Sequence, residues 1–433
     1  MKQTFCLPID LLSLMTCALA GLTLIVQTPA LGSQALIPAN PHGPASFVTV
    51  DKSRQVVSLW QRKSPLQTVW TAVCSTGSES GDKHLEGDQR TPEGVYFLER
   101  RMSGHLGREL YGNLAYTLNY PNPVDRIRGK TGYGIWLHGR GKELLPRDTK
   151  GCVAMDTQKL RELGPHLRLG QTPILIGTSC SSREPTRELE VTARQLESRL
   201  SSWVQAWESR SELFFSHYDP QSFSRSDSQS FTAFRSRKEN LFERYPWIDV
   251  YVDQLQLIPG PGYWVTTFGQ YFRSPCFESQ GLKRLYWQQM DQEGWKIVGR
   301  EWVPLDLDLK QAYLKQARSR IRVWLQRWRS AWEEADLTAY AALYDPKARQ
   351  DGRSGRQAIQ AHKEKIWAKE KPARVTLEDI RILPAAAGFR VEFQQHYQGR
   401  KGYSDIGLKA LILEPAPGSM RIVRETWSPL ASS

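Results

Sequence analysis

At 433 residues the chain exceeds an ordinary single domain, and its 40% hydrophobic content is enough apolar side chain to fill several cores. Frequent Trp and Tyr with no dominant low-complexity tract exclude a polytopic membrane protein and a disordered polymer. The net charge of +13 fits acidic partners such as anionic envelope polymers, but no nucleic-acid module is present, and no nucleic-acid partner is expected.

The N-terminus carries Lys2, an apolar run from Leu11 to Val26, and the small residues Thr28-Pro29-Ala30-Leu31-Gly32-Ser33. This pattern predicts a signal peptide over 1–32 and an exported protein, periplasmic or attached to the cell envelope; a retained anchor is the competing reading. Cleavage removes Cys6 and Cys17 and leaves Cys74, Cys152, Cys180 and Cys276, too few and too widely spaced for a disulfide scaffold.

Residues 45–178 read as a β-rich domain. Ser46 to Val50 and Val56 to Trp60 are β-branched runs joined by the turn-like Asp51-Lys52-Ser53-Arg54, an opening hairpin. Further strands are predicted at Thr68 to Cys74, Gly94 to Arg100, Ile135 to His138 and Pro173 to Ile176, with Cys74 in the core. Asp156 can cap a helix from Gln158 to Leu163. Ser- and Thr-rich residues then predict a linker over 179–192.

Beyond the linker the chain repeats itself. Trp203-Val-Gln-Ala-Trp207 returns as Trp328-Arg-Ser-Ala-Trp332, Tyr218-Asp219-Pro220 as Tyr344-Asp345-Pro346, and Gly281-Leu282-Lys283 as Gly407-Leu408-Lys409. Ile297-Val298 returns as Ile422-Val423, and Trp302 with Pro304 as Trp427 with Pro429, always 125 or 126 residues on. Constant spacing predicts two copies of one domain, 193–306 and 316–431. Each copy begins with an amphipathic helix and ends in long strands such as Gly262 to Phe272 and Gly388 to Tyr397. In this pattern each copy resembles the NTF2-like or SnoaL-like cone fold. The fold class is therefore multidomain, a β-rich domain followed by two α+β cones. The repeated tryptophans read as cone core, and the cones as a place to hold an envelope polymer or a protein partner. The basic run from Arg318 to Arg329 has helical spacing and reads as a solvated face.

The stretch richest in chemistry is Gly134-Ile-Trp-Leu-His138-Gly139 followed by Arg147-Asp-Thr149-Lys150-Gly151-Cys152. A nucleophilic cysteine needs a base to give a thiolate, and histidine is the usual supplier. Fourteen positions separate the two residues, a gap that lets a strand-end histidine meet a loop cysteine over a sheet edge. No His-Glu-x-x-His or Cys-x-x-Cys occurs, and neither a metal nor a cofactor is expected.

His138-Gly139 with Thr149-Lys150-Gly151-Cys152, preceded by Ser75-Thr76-Gly77, Arg90-Thr91-Pro92-Glu93-Gly94 and Tyr120-Pro121-Asn122-Pro123, resembles the YkuD family of L,D-transpeptidases. The resemblance implies that Cys152 is the nucleophile, His138 the general base, and the Gly139 carbonyl the group orienting its imidazole. It implies N–H groups near Gly151 and Cys152 for the oxyanion, with Arg147, Thr149, Lys150 and Gly151 facing the substrate, a peptidoglycan stem peptide. A thioester at the diamino acid then passes to an amine, forming a crosslink, or to water, as in an L,D-carboxypeptidase or amidase. Ala154 and Lys150 depart from the pattern common in transpeptidases and leave the acceptor open. A catalytically inactive wall-binding protein is the alternative of another class. Ser80-Gly-Asp-Lys83 with Lys130-Thr131-Gly132 imitates the serine penicillin-binding signature, but it lies in a Gly-rich stretch unsuited to the helix that such a serine needs.

Overall fold

Alternating β-branched residues from Ser46 onward fold as expected. In the computed structural model, which describes residues 40, 42–63, 66–180 and 187–430, β1 (Ser46–Asp51) and β2 (Val56–Gln61) form a hairpin. The predicted signal peptide lies outside the described residues. β3 (Gln67–Ser75), β4 (Gly94–Ser103), β5 (Leu114–Leu118), β6 (Trp136–Arg140), β7 (Val153–Asp156) and β8 (Pro173–Gly177) complete a closed barrel in the order β1-β2-β3-β7-β6-β5-β4-β8. Two of these strands, β5 and β7, were not visible in the sequence pattern. Closure also removes the sheet edge at which the cysteine and histidine were expected to meet.

Val48, Val50, Leu98, Tyr116, Leu137 and Val153 fill the barrel, with Cys74 fully buried among them. Asp156 caps helix Thr157–Leu163 as expected, its carboxylate accepting from the N–H groups of Gln158 and Lys159.

Helix Arg187–Glu208 starts inside the stretch read as linker, and buries Leu196, Leu200, Trp203 and Trp207 at three- and four-residue spacing. It packs on the sheet β12-β11-β10-β9, built from β9 (Asp249–Gly260), β10 (Tyr263–Arg273), β11 (Glu278–Met290) and β12 (Gly294–Pro304). The second copy repeats this with helix Leu309–Glu333 and β15 (Pro372–Ala385), β16 (Gly388–Gly399), β17 (Ser404–Ala416) and β18 (Ser419–Pro429). It adds β13 (Tyr344–Gln350) and β14 (Arg353–Ser354), so its sheet has six strands. The shared Tyr-Asp-Pro therefore has two outcomes: Asp219 caps helix Pro220–Ser226, whereas Tyr344-Asp345-Pro346 opens a strand paired with β18.

The outward face of the first cone sheet seats on the barrel. Tyr263, Val265, Tyr286 and Val298 pack with Phe47, Val95, Phe97 and Leu175, and the Tyr263 hydroxyl accepts from the Val95 N–H at 2.8 Å. Arg284 stacks over Phe97 at 3.8 Å and pairs with Glu301 at 2.8 Å. The barrel and the first cone thus share an apolar seam with polar contacts at Arg284 and Glu301. No helix among the described residues is long and apolar enough to cross a membrane.

Candidate active site

β6 and β7 are parallel neighbours in the barrel, with His138 opposite Ala154. Cys152 immediately precedes β7, two positions before Ala154. The strand register, not the short loop between them, thus brings Cys152 to within two positions of the residue facing His138.

His138 is 5% exposed, and its ring is held from two directions. Nδ1 lies 2.7 Å from the Gly139 carbonyl, and Tyr111 meets the ring edge-on at 5.1 Å. A carbonyl can only accept, so Nδ1 carries the proton and neutral His138 presents Nε2 as a bare base. Gly139 is needed here on steric grounds: a Cβ would stand 2.7 Å from Thr157 Oγ1.

Cys152 is half-buried, with Sγ 3.6 Å from the Gly134 carbonyl. Burial pushes its thiol above the ordinary cysteine value, while the Trp136 N–H and the Lys83 ammonium pull the other way. Burial also lowers His138, opposed by its bond to Gly139 and assisted by Arg140. Both shifts favour the neutral forms, a thiol and an imidazole, over a thiolate and an imidazolium.

The loop before the cysteine is braced from within. Thr149 Oγ1 donates to the Cys152 carbonyl at 2.8 Å and accepts from the Gly151 N–H at 3.1 Å. Thr149 is thereby committed to the loop rather than turned toward a substrate, and the Gly151 N–H is not available to an oxyanion. Gly151 has φ +123°, and a Cβ there would come within 2.9 Å of the Arg90 carbonyl. Arg147 donates to Ser80 Oγ at 2.9 Å, and Arg140 binds Asp148 at 2.5 Å. Lys150 is exposed.

Three contributors were missed in the sequence: Tyr111, the Trp136 N–H and Lys83. Lys83 is 3% exposed and pairs with Asp88 at 2.8 Å. Burial opposes charge on Asp88, but Lys83 and the N–H groups of His84, Leu85 and Arg90 hold its carboxyl well below the usual range. Lys83 and Lys130 are the two lysines of the serine-enzyme imitation; Lys130 is paired with Asp82 and Asp125 at 2.7 and 2.8 Å. Both lysines hold loops, and Ser80 has neither as a base.

Comparison with known proteins identifies the domains. Residues 45–176 match the L,D-transpeptidase catalytic domain model, YkuD, and residues 195–301 and 320–426 each match the Cds6 C-terminal NTF2-like domain. YafK of Escherichia coli strain K12, provisionally named an L,D-transpeptidase, is 24% identical over 123 residues, 28% of this chain and 46% of YafK. The chain thus spans about half the length of the curated relatives it matches. The structure of Bd1075 from Bdellovibrio bacteriovorus is 28% identical with a TM-score of 0.51, covering 63% of this chain and 98% of that one. Pgp2 from Campylobacter jejuni, described as a helical cell shape determining protein, is 24% identical with a TM-score of 0.49 over 60% of this chain and 92% of its own.

Proposed function

Because the chain joins a YkuD-type L,D-transpeptidase domain to two Cds6-type NTF2-like domains, we propose that it is an exported cysteine acyl-transferase acting on peptidoglycan stem peptides. The observation that carries this reading is a His138 facing Ala154, two positions after Cys152, whose Nδ1 is tied to the Gly139 carbonyl. That tie leaves the Nε2 lone pair free to take a proton.

His138 Nε2 takes the Cys152 proton as sulfur attacks the amide carbon between the L-centre of the diamino acid and the terminal D-residue. The tetrahedral adduct collapses to a thioester, and the departing amine leaves with the proton held by His138. An incoming amine gives a crosslink, whereas water gives a trimmed tripeptide. Because thiol and imidazole rest neutral, no charge is buried until substrate arrives, and the Trp136 N–H and Lys83 favour the thiolate as it forms.

Defined tetrapeptide muropeptides incubated with wild type, Cys152→Ala and His138→Gln, followed by mass spectrometry, test this. Wild type should release the D-residue, while both variants should lose at least about a thousandfold in rate. Dimers joined between two diamino acids identify crosslinking, and tripeptides identify hydrolysis. Undiminished release by Cys152→Ala would end the mechanism.

A further inference from the structure

Helix Leu309–Glu333, which opens the second cone, carries seven lysines and arginines against one acid, Glu333. Three of these cations are answered: Lys310 by Glu278 at 2.6 Å, Arg320 by Asp249 at 3.1 Å and Arg329 by Glu333 at 3.8 Å. Lys315, Arg318, Arg322 and Arg327 are exposed, and among the described residues none of the four forms an ion pair within 4.0 Å. Spacings of three and four residues put Lys315, Arg318 and Arg322 on one side of the helix. Arg327, four positions beyond Val323, ends the row about 18 Å from Lys315 at a rise of about 1.5 Å per residue. Like charges so spaced work against the helix that carries them, so the row is a cost to the isolated fold.

Beside the row lies a groove of about 250 Å³ between the helix and the turn at Gly418 that joins β17 to β18, lined by Arg320, Val323, Trp324 and Arg327. Two of these residues hold a buried donor, Arg320 Nε and Trp324 Nε1, that has no hydrogen-bond partner. The first cone carries the opposite charge at the same place. Its helix Arg187–Glu208 has three arginines against four glutamates, and at the 125-residue offset Glu190 and Glu197 stand for Lys315 and Arg322. The turn between its β11 and β12 carries Asp291 and Glu293, where the second cone has Pro417-Gly418. The basic face is therefore a property of the second copy and not of the repeat.

The row also restricts its partner. Leu314, Ile321, Leu325 and Trp328 are spent on the cone core and Val323 is the helix's one exposed large apolar residue, so no apolar face is left to enter a lipid surface. No exposed aromatic ring accompanies the cations, so nothing on the helix stacks on a nucleic-acid base. Three of the four unpaired cations are arginines, whose planar fork matches phosphate oxygens. We propose that this outer face of the second NTF2-like domain binds a linear phosphate polymer without bases, its phosphates following Lys315, Arg318, Arg322 and Arg327, and one of them accepting from Arg320 and Trp324 in the groove. The site lies outside the cone interior and operates independently of the thioester chemistry.

The test titrates the full chain into fluorescently labelled polyphosphate and follows anisotropy at rising salt. Saturable binding is expected, with log affinity falling linearly against log salt as counterions are released. Lys315→Glu combined with Arg322→Glu, the charges of the first cone, should weaken binding at least tenfold and flatten the salt dependence without lowering the melting temperature. Arg318→Gln combined with Arg322→Gln, a neutral change at exposed positions, provides a second reading if the reversed pair does not fold, and should weaken binding severalfold. Arg194→Glu on the first-cone helix should leave affinity unchanged. Poly-L-glutamate and phosphatidylglycerol vesicles are the competitors, and neither should displace the probe as well as unlabelled polyphosphate does. Absence of polyphosphate binding at low salt, affinity that survives both double variants, or equal displacement by polyglutamate or by vesicles overturns the site.

Discussion

Glu208 ends the first cone helix at the junction between the two cones, and its protonation should set how stability varies with pH. Its Oε1 accepts from the Val250 N–H at 3.0 Å. Asp249 lies beside it, taking the Tyr313 hydroxyl at 2.7 Å and facing Arg320 at 3.1 Å. Burial first, then the neighbouring Asp249, pushes the Glu208 carboxyl up to about 8, while the Val250 N–H and Arg320 pull down. An acid whose folded pKa stands above its unfolded value contributes stability that is complete below the unfolded pKa and is lost as pH rises to the folded one. The window is therefore about 4.5 to 8. At about 1.4 kcal/mol per unit the whole gap amounts to about 5 kcal/mol, and sharing of the proton with Asp249 reduces this to about 2–3 kcal/mol. Glu208→Gln keeps the acceptor for Val250 and removes the titration. In urea unfolding at pH 5.5, 6.5 and 7.5, the cone transition of wild type should weaken relative to the variant by about 1 kcal/mol per pH unit, giving the variant an advantage of about 2 kcal/mol at pH 7.5. Parallel pH profiles for the two proteins would refute the argument, because every other titrating group is common to both.

The remaining predictions concern the catalytic loop. Thr149→Val removes both braces on the Cys152 turn and should slow thioester formation about 10- to 100-fold, at about 1 kcal/mol or more per lost bond, with little change in melting temperature; intact-mass single-turnover assays read this. Gly139→Ala should abolish acylation, because its Cβ meets Thr157 Oγ1 at 2.7 Å, and adding Thr157→Ala should restore part of it. Since burial raises Cys152 and lowers His138, alkylation by iodoacetamide should climb with pH through and beyond the ordinary thiol range, whereas a rate that stays flat between pH 6 and 8 would indicate a preformed ion pair.

What could be read from the chain was whatever is written locally. His138-Gly139 and Thr149-Lys150-Gly151-Cys152 lie close together in sequence, and the duplication announces itself through fixed spacing. The contacts that shape the site come instead from closure of the barrel. β7 is four residues long and gives no periodic signal, yet it sets the register that puts Cys152 two positions before the residue facing His138. Lys83, in a loop, and Tyr111, at the end of helix Arg108–Tyr111, lie 69 and 41 residues before Cys152, so no local pattern ties them to it. Thr149 illustrates the opposite error: a hydroxyl next to a nucleophile looks free in sequence and is spent on the loop in the fold.

The duplicated cones show most sharply how position overrides identity. At the 125-residue offset Val265, fully buried against the barrel, is matched by the exposed Arg390, so the second sheet lacks the apolar face that seats the first. On the inward side Arg300, paired with Asp227, is matched by Glu425, which pairs instead with Lys409. Each exchange is a single residue at an equivalent position of the repeat. The first copy is thus the one that touches the barrel, sharing a core with its β4 and β8 strands. Val95 donates directly to Tyr263, so the first cone sheet and the barrel wall are joined by a hydrogen bond that does not pass through a linker.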